Sequence, residues 1–522
     1  MAMKRFNTTG TCYPDRHYMV DITPRLQIIR NMMNHGDYFC IMRGRQYGKT
    51  TTLNAVVNRY SEDFLFYFIS FEGLGEAAFK TEETLAYAFV GLLHFQMSMS
   101  LRKTPFGADV QQLVSDTLEK YQGKLPTIEL SVLISRICMM SAKPIVLIID
   151  EVDQAGNYDS FVKFLGVLRT KYLARMSYPT FQSVILAGVY DIRNLKMKIR
   201  SDKDHQYNSP WNIAAPFDVE MSLPEDGIAG MLSEYAEDHD IRMDVGEMAR
   251  LLMDYTAGYP FLVSRLCQII DENVMAWDKE GLLKAVNMLL NEHNTLFDDL
   301  VKKLQQFPEL RQLFMDILYA GIRRTYVPYE RYMQLAEMFG LIRNSNGTVV
   351  IANRIMETFL YNLFLAEEKS SVLYSTGASE KSQFVIDGKL DMQYLLERFV
   401  VHYNEICPAK DEEFLERNGR QMFLLYLRPI INGVGNYYIE AQTRDETRTD
   451  VIVDYRGQQS VIEMKIWRGN AYNERGEEQL SEYLDYFHLD KGYMVSFCFN
   501  KSKKPGVKTM NINGKQLIEA IV

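Results

Sequence analysis

The stretch Tyr38-Phe-Cys-Ile-Met-Arg-Gly-Arg-Gln-Tyr-Gly-Lys-Thr-Thr-Thr-Leu53 decides the fold. It runs from a short apolar segment through a glycine-bearing turn into Gly48-Lys49-Thr50, which opens a helix. Strand, loop and helix in that order make a phosphate cradle. Backbone N–H groups and a helix N-terminus face the anion, a lysine brings a mobile positive charge, and a hydroxyl can ligate Mg²⁺. Arg43, Gly44, Arg45, Gln46, Tyr47, Gly48, Lys49, Thr50 and Thr51 are therefore the candidate nucleotide-binding residues. The pattern GxxxxGK[ST] asks for glycine at position 43; arginine stands there and Gly44 follows one place late. By itself the stretch also suits an ordinary strand-to-helix turn.

The complementary half lies a hundred residues on, in Lys143-Pro-Ile-Val-Leu-Ile-Ile-Asp150-Glu151-Val-Asp153. An unbroken apolar run suits a central parallel strand, and carboxylates at its C-terminal end lie where open α/β sheets bind ligands. Asp150 is the expected Mg²⁺ ligand together with Thr50, and Glu151 the residue that polarises the attacking water. Residues 63–70, 183–189 and 216–221 read as further strands, with Tyr190 and Asp191 as weak candidates for a γ-phosphate sensor. Residues 223–300 turn helical, and Gly258-Tyr259-Pro260 punctuates two of those helices.

Bulk properties set the frame. A chain of 522 residues needs several cores. With 67 acidic and 58 basic residues the net charge is −9, so any nucleic-acid surface must be local. Six scattered cysteines without CxxC pairs argue against zinc and for a reducing cytoplasm. Neither a signal-peptide core nor an apolar run of about 18 residues is present, so no membrane is expected.

Residues 15–300 resemble the AAA-like ATPases of the STAND and archaeal branch of P-loop proteins. Members carry loops of the form R-P-R-R-F-G-K-[ST], to which Arg43–Thr50 corresponds. The resemblance extends to Ser209-Pro210-Trp211-Asn212 and to the Gly258-Tyr259-Pro260 corner. It implies ATP and Mg²⁺ as cofactors and places Pro260 near the adenine or the phosphates. The usual sensor serine is missing, and Arg193 and Arg265 are only guesses for an arginine finger.

Downstream, residues 301–366 read as a winged helix, with Asn346-Gly347 between two apolar runs as the hairpin signal. A structural role suits it as well as DNA binding does. Residues 367–388 read as a polar linker. In the last third, Asp450 and Glu463-x-Lys465 fall on strands joined by a turn at Gly457. Residues two apart on a strand share a face. Two carboxylates and an ammonium on one sheet face are costly as core but suit a divalent metal beside a phosphodiester. This set resembles the PD-(D/E)xK nuclease superfamily. The resemblance implies Glu416 (with Glu413 as rival) as accessory acid and Gln479 on the following helix; Thr449 replaces the customary proline.

The expected architecture is thus α/β: a P-loop core with a parallel sheet over 1–222, a helical lid over 223–300, a winged helix over 301–366, the linker over 367–388, and a nuclease-like α/β domain over 389–522. The expected function is ATP binding and hydrolysis coupled to Mg²⁺-dependent cleavage of nucleic acid, DNA first, with homo-oligomers and a setting in mobile-element or phage defence. The alternatives are a nucleotide-switched signalling or nucleic-acid-binding protein without cleavage, and a transcription regulator acting through the winged helix.

Overall fold

The structure is a computed structural model. It describes residues 3–99, 107–189, 211–318, 324–367, 372–406, 412–431, 435–438, 451–466, 477–478, 480–481, 483–485, 487–498 and 504–522. The chain divides into two compact units, one of 1–4 and 9–223, the other of 5–8 and 224–522.

The first unit is built on four parallel strands, β1 (Tyr38–Met42), β2 (Leu65–Ser70), β3 (Ile145–Asp150) and β4 (Ser183–Gly188), in the order β1-β4-β3-β2. Every residue of β3 is buried. Its alternating side chains feed two cores, as strand periodicity requires. Leu147 and Ile149 pack with Phe89, Leu133 and Phe164 from α3 (Glu82–Met99), α5 (Thr127–Met140) and α6 (Asp159–Leu173). Val146 and Ile148 pack with Leu26, Ile29, Leu53 and Val56 from α1 (Thr23–His35) and α2 (Lys49–Tyr60). A further helix, α4 (Ala108–Tyr121), lies against α3. Two cores on one sheet explain why β3 is apolar without alternation. They also leave the C-terminal ends of β1, β3 and β4 side by side.

Residues 216–221 do not form the strand expected of them. The chain meets β1 in a single parallel bridge, Phe39 to Ala215. Beyond it the backbone acceptors go to side chains: Arg25 donates to the carbonyls of Glu220 and Ser222, each at 3.0 Å, and Arg43 to that of Val219 at 3.4 Å. Carbonyls drawn partly out of water need a donor; here arginines supply it in place of a ladder.

The second unit opens with α7 (Glu225–His239), α8 (Val245–Thr256), α9 (Pro260–Ile269) and α10 (Lys279–Leu290). Next come α11 (Thr295–Gln306), α12 (Pro308–Leu318), α13 (Arg331–Met338), the hairpin β5 (Ile342–Ser345) and β6 (Thr348–Ile351), and α14 (Arg354–Glu367). Asn346 and Gly347, at φ 47° and 81°, make the hairpin turn, both left-handed as a two-residue turn of this kind demands.

In its described residues the polar stretch read as a linker is folded. It forms α15 (Val372–Glu380) and the short hairpin β7 (Val385–Ile386) and β8 (Lys389–Leu390). α15 packs on α17 (Glu412–Ile431); a Cβ added to Gly377 would sit 2.2 Å from the Tyr426 carbonyl oxygen. Small residues that read as linker composition here permit close helix contact. The Glu380 carboxylate accepts from Arg398 (2.5 Å) and Tyr426 (2.9 Å) and meets His402 Nε2 at 3.0 Å, Arg398 and His402 lying on α16 (Met392–Ile406).

The chain ends in a six-stranded mixed sheet of order β13-β14-β12-β11-β10-β9, from β9 (Gly435–Tyr438), β10 (Val451–Tyr455), β11 (Gln458–Ile466), β12 (Lys491–Phe497), β13 (Gly506–Ile512) and β14 (Lys515–Ile521). Among the described residues no helix is long and apolar enough to cross a membrane.

Candidate functional site

The loop after β1 curls through left-handed conformations at Gln46 (φ 58°) and Gly48 (φ 74°) before α2 begins at Lys49. A Cβ at Gly48 would meet nothing within 4 Å, so glycine serves the dihedral and not the space. The arginine at 43 is accommodated because its side chain turns away, to the carbonyls of Met42 and Val219, while buried Gly44 enters the loop. Lys49, only 7% exposed, folds back so that Nζ donates to the Arg43 and Gly44 carbonyls, each at 3.0 Å. Arg45 is exposed. The Tyr47 hydroxyl lies 3.5 Å from Ser222 Oγ, and Thr51 Oγ1 accepts from the backbone N–H of Cys12 at 3.2 Å.

The two expected halves meet. Thr50 Oγ1 donates to Asp150 Oδ2 at 2.7 Å, across a hundred residues of sequence. Asp150 is buried, and its other oxygen accepts the Glu151 N–H at 2.9 Å. Glu151 adopts φ 53°, which breaks the strand and starts a short 3₁₀ turn. Burial and then the neighbouring Asp150 raise the Glu151 carboxyl above its usual range, with Lys49 opposing. Burial also lowers the Lys49 ammonium, against the pull of Glu151, Asp153 and Asp150. Asp153, quoted above but given no role, accepts the Val189 N–H at 2.5 Å.

Tyr190, Asp191, Arg193, Ser209 and Pro210 lie outside the described residues; Trp211 is buried with its indole N–H on Cys40 Sγ. Pro260 is the first residue of α9, in the second unit. Arg265 is engaged by Glu292 at 2.6 Å.

On the C-terminal sheet, β10 and β11 form the hairpin around Arg456 (φ 49°) and Gly457 (φ 79°). Asp450 and Gln479 lie outside the described residues, as does the side chain of Glu416 on α17. Glu463 is 7% exposed and sits beside Met494 of β12, which sits beside Glu519 of β14; Lys465 sits beside Ser496. Glu519 is fully buried, bound by Lys508 Nζ at 2.7 Å and by the Ser496 hydroxyl at 2.5 Å. Burial lowers the Lys465 ammonium, while Glu463, Glu519 and Glu477 favour its charge. No motif could have announced Glu519, since only the register brings it onto this face. Among the described residues no three His, Cys, Asp or Glu side chains group as a metal site.

A third buried acid lies at the hairpin end. Asp454 accepts from the Tyr255 hydroxyl of α8 at 3.4 Å, while its Oδ1 is buried with no hydrogen-bond partner. Burial pushes its carboxyl up to about 7, although Lys279 (α10), Arg354 (α14) and hydrogen bonds from Tyr255 and Gln459 oppose this. The folded chain therefore holds a proton that the unfolded chain releases near the ordinary aspartate value of 3.8. The stability this proton contributes is fully present below the unfolded value and is lost as pH rises through about 7. Thermal melts over that window are expected to fall with rising pH, and Asp454→Asn to flatten the trend. An unchanged slope in the variant would refute this account.

A parallel sheet with a phosphate-type loop after β1 and carboxylates after β3 defines a P-loop ATPase core. The chain belongs to the AAA-like domain family, whose family model matches residues 12–362, more than half of it. Solved structures similar to the chain include the Walker-type ATPase of Pyrococcus abyssi (16% identity, TM-score 0.46, 68% of this chain and 99% of that one). Others are the ORC2 protein of Aeropyrum pernix in its ADPNP and ADP complexes (14%, 0.35, 66% and 93%) and the ORC1 protein of that organism in complex with DNA (14%, 0.30, 67% and 94%). No curated protein matches the chain significantly.

Proposed function

We propose that the first unit binds and hydrolyses ATP. The observation that carries this reading is the 2.7 Å contact of Thr50 Oγ1 with Asp150 Oδ2, which joins the two loops at one point. A hydroxyl and a buried carboxylate are hard oxygen donors of the kind Mg²⁺ takes with nucleotide phosphates, so the residues present fit that ion. Bound there, the ion would neutralise charge on the phosphoryl group in flight. Lys49 would leave the Arg43 and Gly44 carbonyls for the β/γ-phosphates, and the loop N–H groups would cradle them. Glu151 would take the proton of the attacking water. Glu151→Gln is expected to keep nucleotide binding and lower phosphate release about a hundredfold. Wild-type turnover in that variant would remove Glu151 from the role.

For the C-terminal sheet the proposal is a nuclease-like site of Asp450, Glu463 and Lys465, with Glu416 and Gln479 as accessory groups, acting on nucleic acid, DNA first. The Glu463 and Lys465 placement on one face supports it. Glu463 offers oxygen donors to a divalent cation, and Lys465 a positive charge where the phosphodiester gains negative charge. Nucleotide-controlled cutting suits defence against foreign DNA. The second reading is that this sheet recognises nucleic acid without cutting it; a Glu519 carboxylate already taken by Lys508 is not free to hold a metal, which is what that reading requires. Incubation with single- and double-stranded DNA and RNA, with and without Mg²⁺ and ATP, separates the two. Mg²⁺-dependent products support the nuclease, and binding without products supports the recognition module.

A further inference from the structure

One peptide group links the two loops of the ATPase site. The Gly188–Val189 unit, at the end of β4, lies between β1 and β3 in the sheet. Its carbonyl oxygen accepts the N–H of Arg43, the first residue of the phosphate loop, at 3.2 Å. Its N–H donates to Asp153 Oδ2 at 2.5 Å. Asp153 is the second residue of the 3₁₀ turn (Val152–Ala155) that Glu151 starts. A Cβ at Gly188 would stand 3.0 Å from both Asp153 carboxylate oxygens and from Val152 Cγ2, so the turn lies directly on this peptide.

A carboxylate on a backbone N–H is a charge-assisted bond, about twice as strong as a neutral one. A peptide is rigid, so tension on one side reaches the other. Movement of the phosphate loop at Arg43 would be felt at Asp153, and with it at the turn carrying Glu151.

We propose that Asp153 is a positioning residue for hydrolysis: its carboxylate clamps the Gly188–Val189 peptide and so holds the Glu151 turn in register with the phosphate loop. The inference rests on the ATPase reading of this site. Of the phosphate-loop N–H groups the clamped peptide takes only that of Arg43, at the start of the loop, so loss of the clamp lowers turnover without weakening binding.

The test separates those two quantities in the full chain, using a fluorescent ATP analogue for Kd and phosphate release for kcat. Asp153→Ala is expected to lower kcat about tenfold or more, the loss of one charge-assisted hydrogen bond, with Kd unchanged or tighter, since one of the carboxylates facing Lys49 is gone. Asp153→Asn keeps an acceptor oxygen and is expected to recover kcat to within about threefold of wild type. Gly188→Ala presses on the same carboxylate from the other side. It is expected to lower kcat with Kd kept, and it serves if the alanine variant at 153 does not fold. Wild-type kcat in both Asp153→Ala and Gly188→Ala overturns the proposal, as does a Kd that weakens in step with kcat, or an Asn variant as impaired as the alanine one. A wild-type chain that neither binds nor hydrolyses ATP removes the ATPase reading itself. A wild type that hydrolyses ATP alongside an indifferent Asp153 removes this inference alone.

Discussion

Replacing Lys49 by methionine is expected to lower ATP hydrolysis by about a hundred- to a thousandfold, the cost of losing one preorganised charge at a reacting phosphate. The expectation follows from what surrounds the ammonium. Lys49 is 7% exposed and faces the charges of Asp150, Glu151 and Asp153. Without it three carboxylates remain around the place where anionic phosphates must enter, so nucleotide affinity should fall together with turnover. Methionine keeps the length of the stem and most of its packing. Both variants leave the Arg43 and Gly44 carbonyls without their donor, and alanine also leaves a space where the stem packed. The donor loss is common to the two, and the space left by the missing stem is not, so Lys49→Ala should melt lower than Lys49→Met while being equally inactive. Melting curves, fluorescent-nucleotide binding and phosphate release check the pair. Wild-type turnover in Lys49→Met would exclude this loop as the hydrolytic site.

The first unit was legible because its signals are local. An apolar run ending in two acids and a Gly-Lys-Thr turn each predict their own geometry, and the Thr50–Asp150 contact joins them. The arginine in place of the first glycine looked like a defect only while its side chain was unplaced; in the fold it donates to the Val219 carbonyl, within the segment 216–221 that was misread as a strand. That misreading has a general cause, since alternating apolar residues look alike whether their carbonyls meet a neighbouring strand or an arginine. Asp153 was in view, three residues after Asp150, but its partner is a peptide on β4. Only the insertion of β4 between β1 and β3 brings the two together. Residues 367–388 misled for the opposite reason: serine, glycine and alanine serve both mobile chain and close helix contact, and only the fit of Gly377 on Tyr426 decides.

Replacing Lys465 by alanine is expected to abolish Mg²⁺-dependent cleavage of nucleic acid, by about a hundredfold or more, while ATP hydrolysis is retained. On the C-terminal sheet Glu463, Met494 and Glu519 form one row, and Lys465 and Ser496 the next. Two nearly buried carboxylates on one face need compensation. Lys508 and Ser496 serve Glu519, and Lys465 is the basic residue nearest Glu463 along β11. Its removal would leave Glu463 under-compensated and, on the proposed nuclease reading, would withdraw positive charge from the scissile phosphate. Lys465→Arg is the informative control: it restores charge but not the compact ammonium, so it should recover folding and nucleic-acid binding more than cleavage. Cleavage by Lys465→Ala at the wild-type rate would place the cutting site elsewhere. Binding that survives in a wild type yielding no products would leave the sheet as a recognition surface. In that case Lys465→Ala should weaken binding in a salt-dependent manner, as the loss of one phosphate contact does.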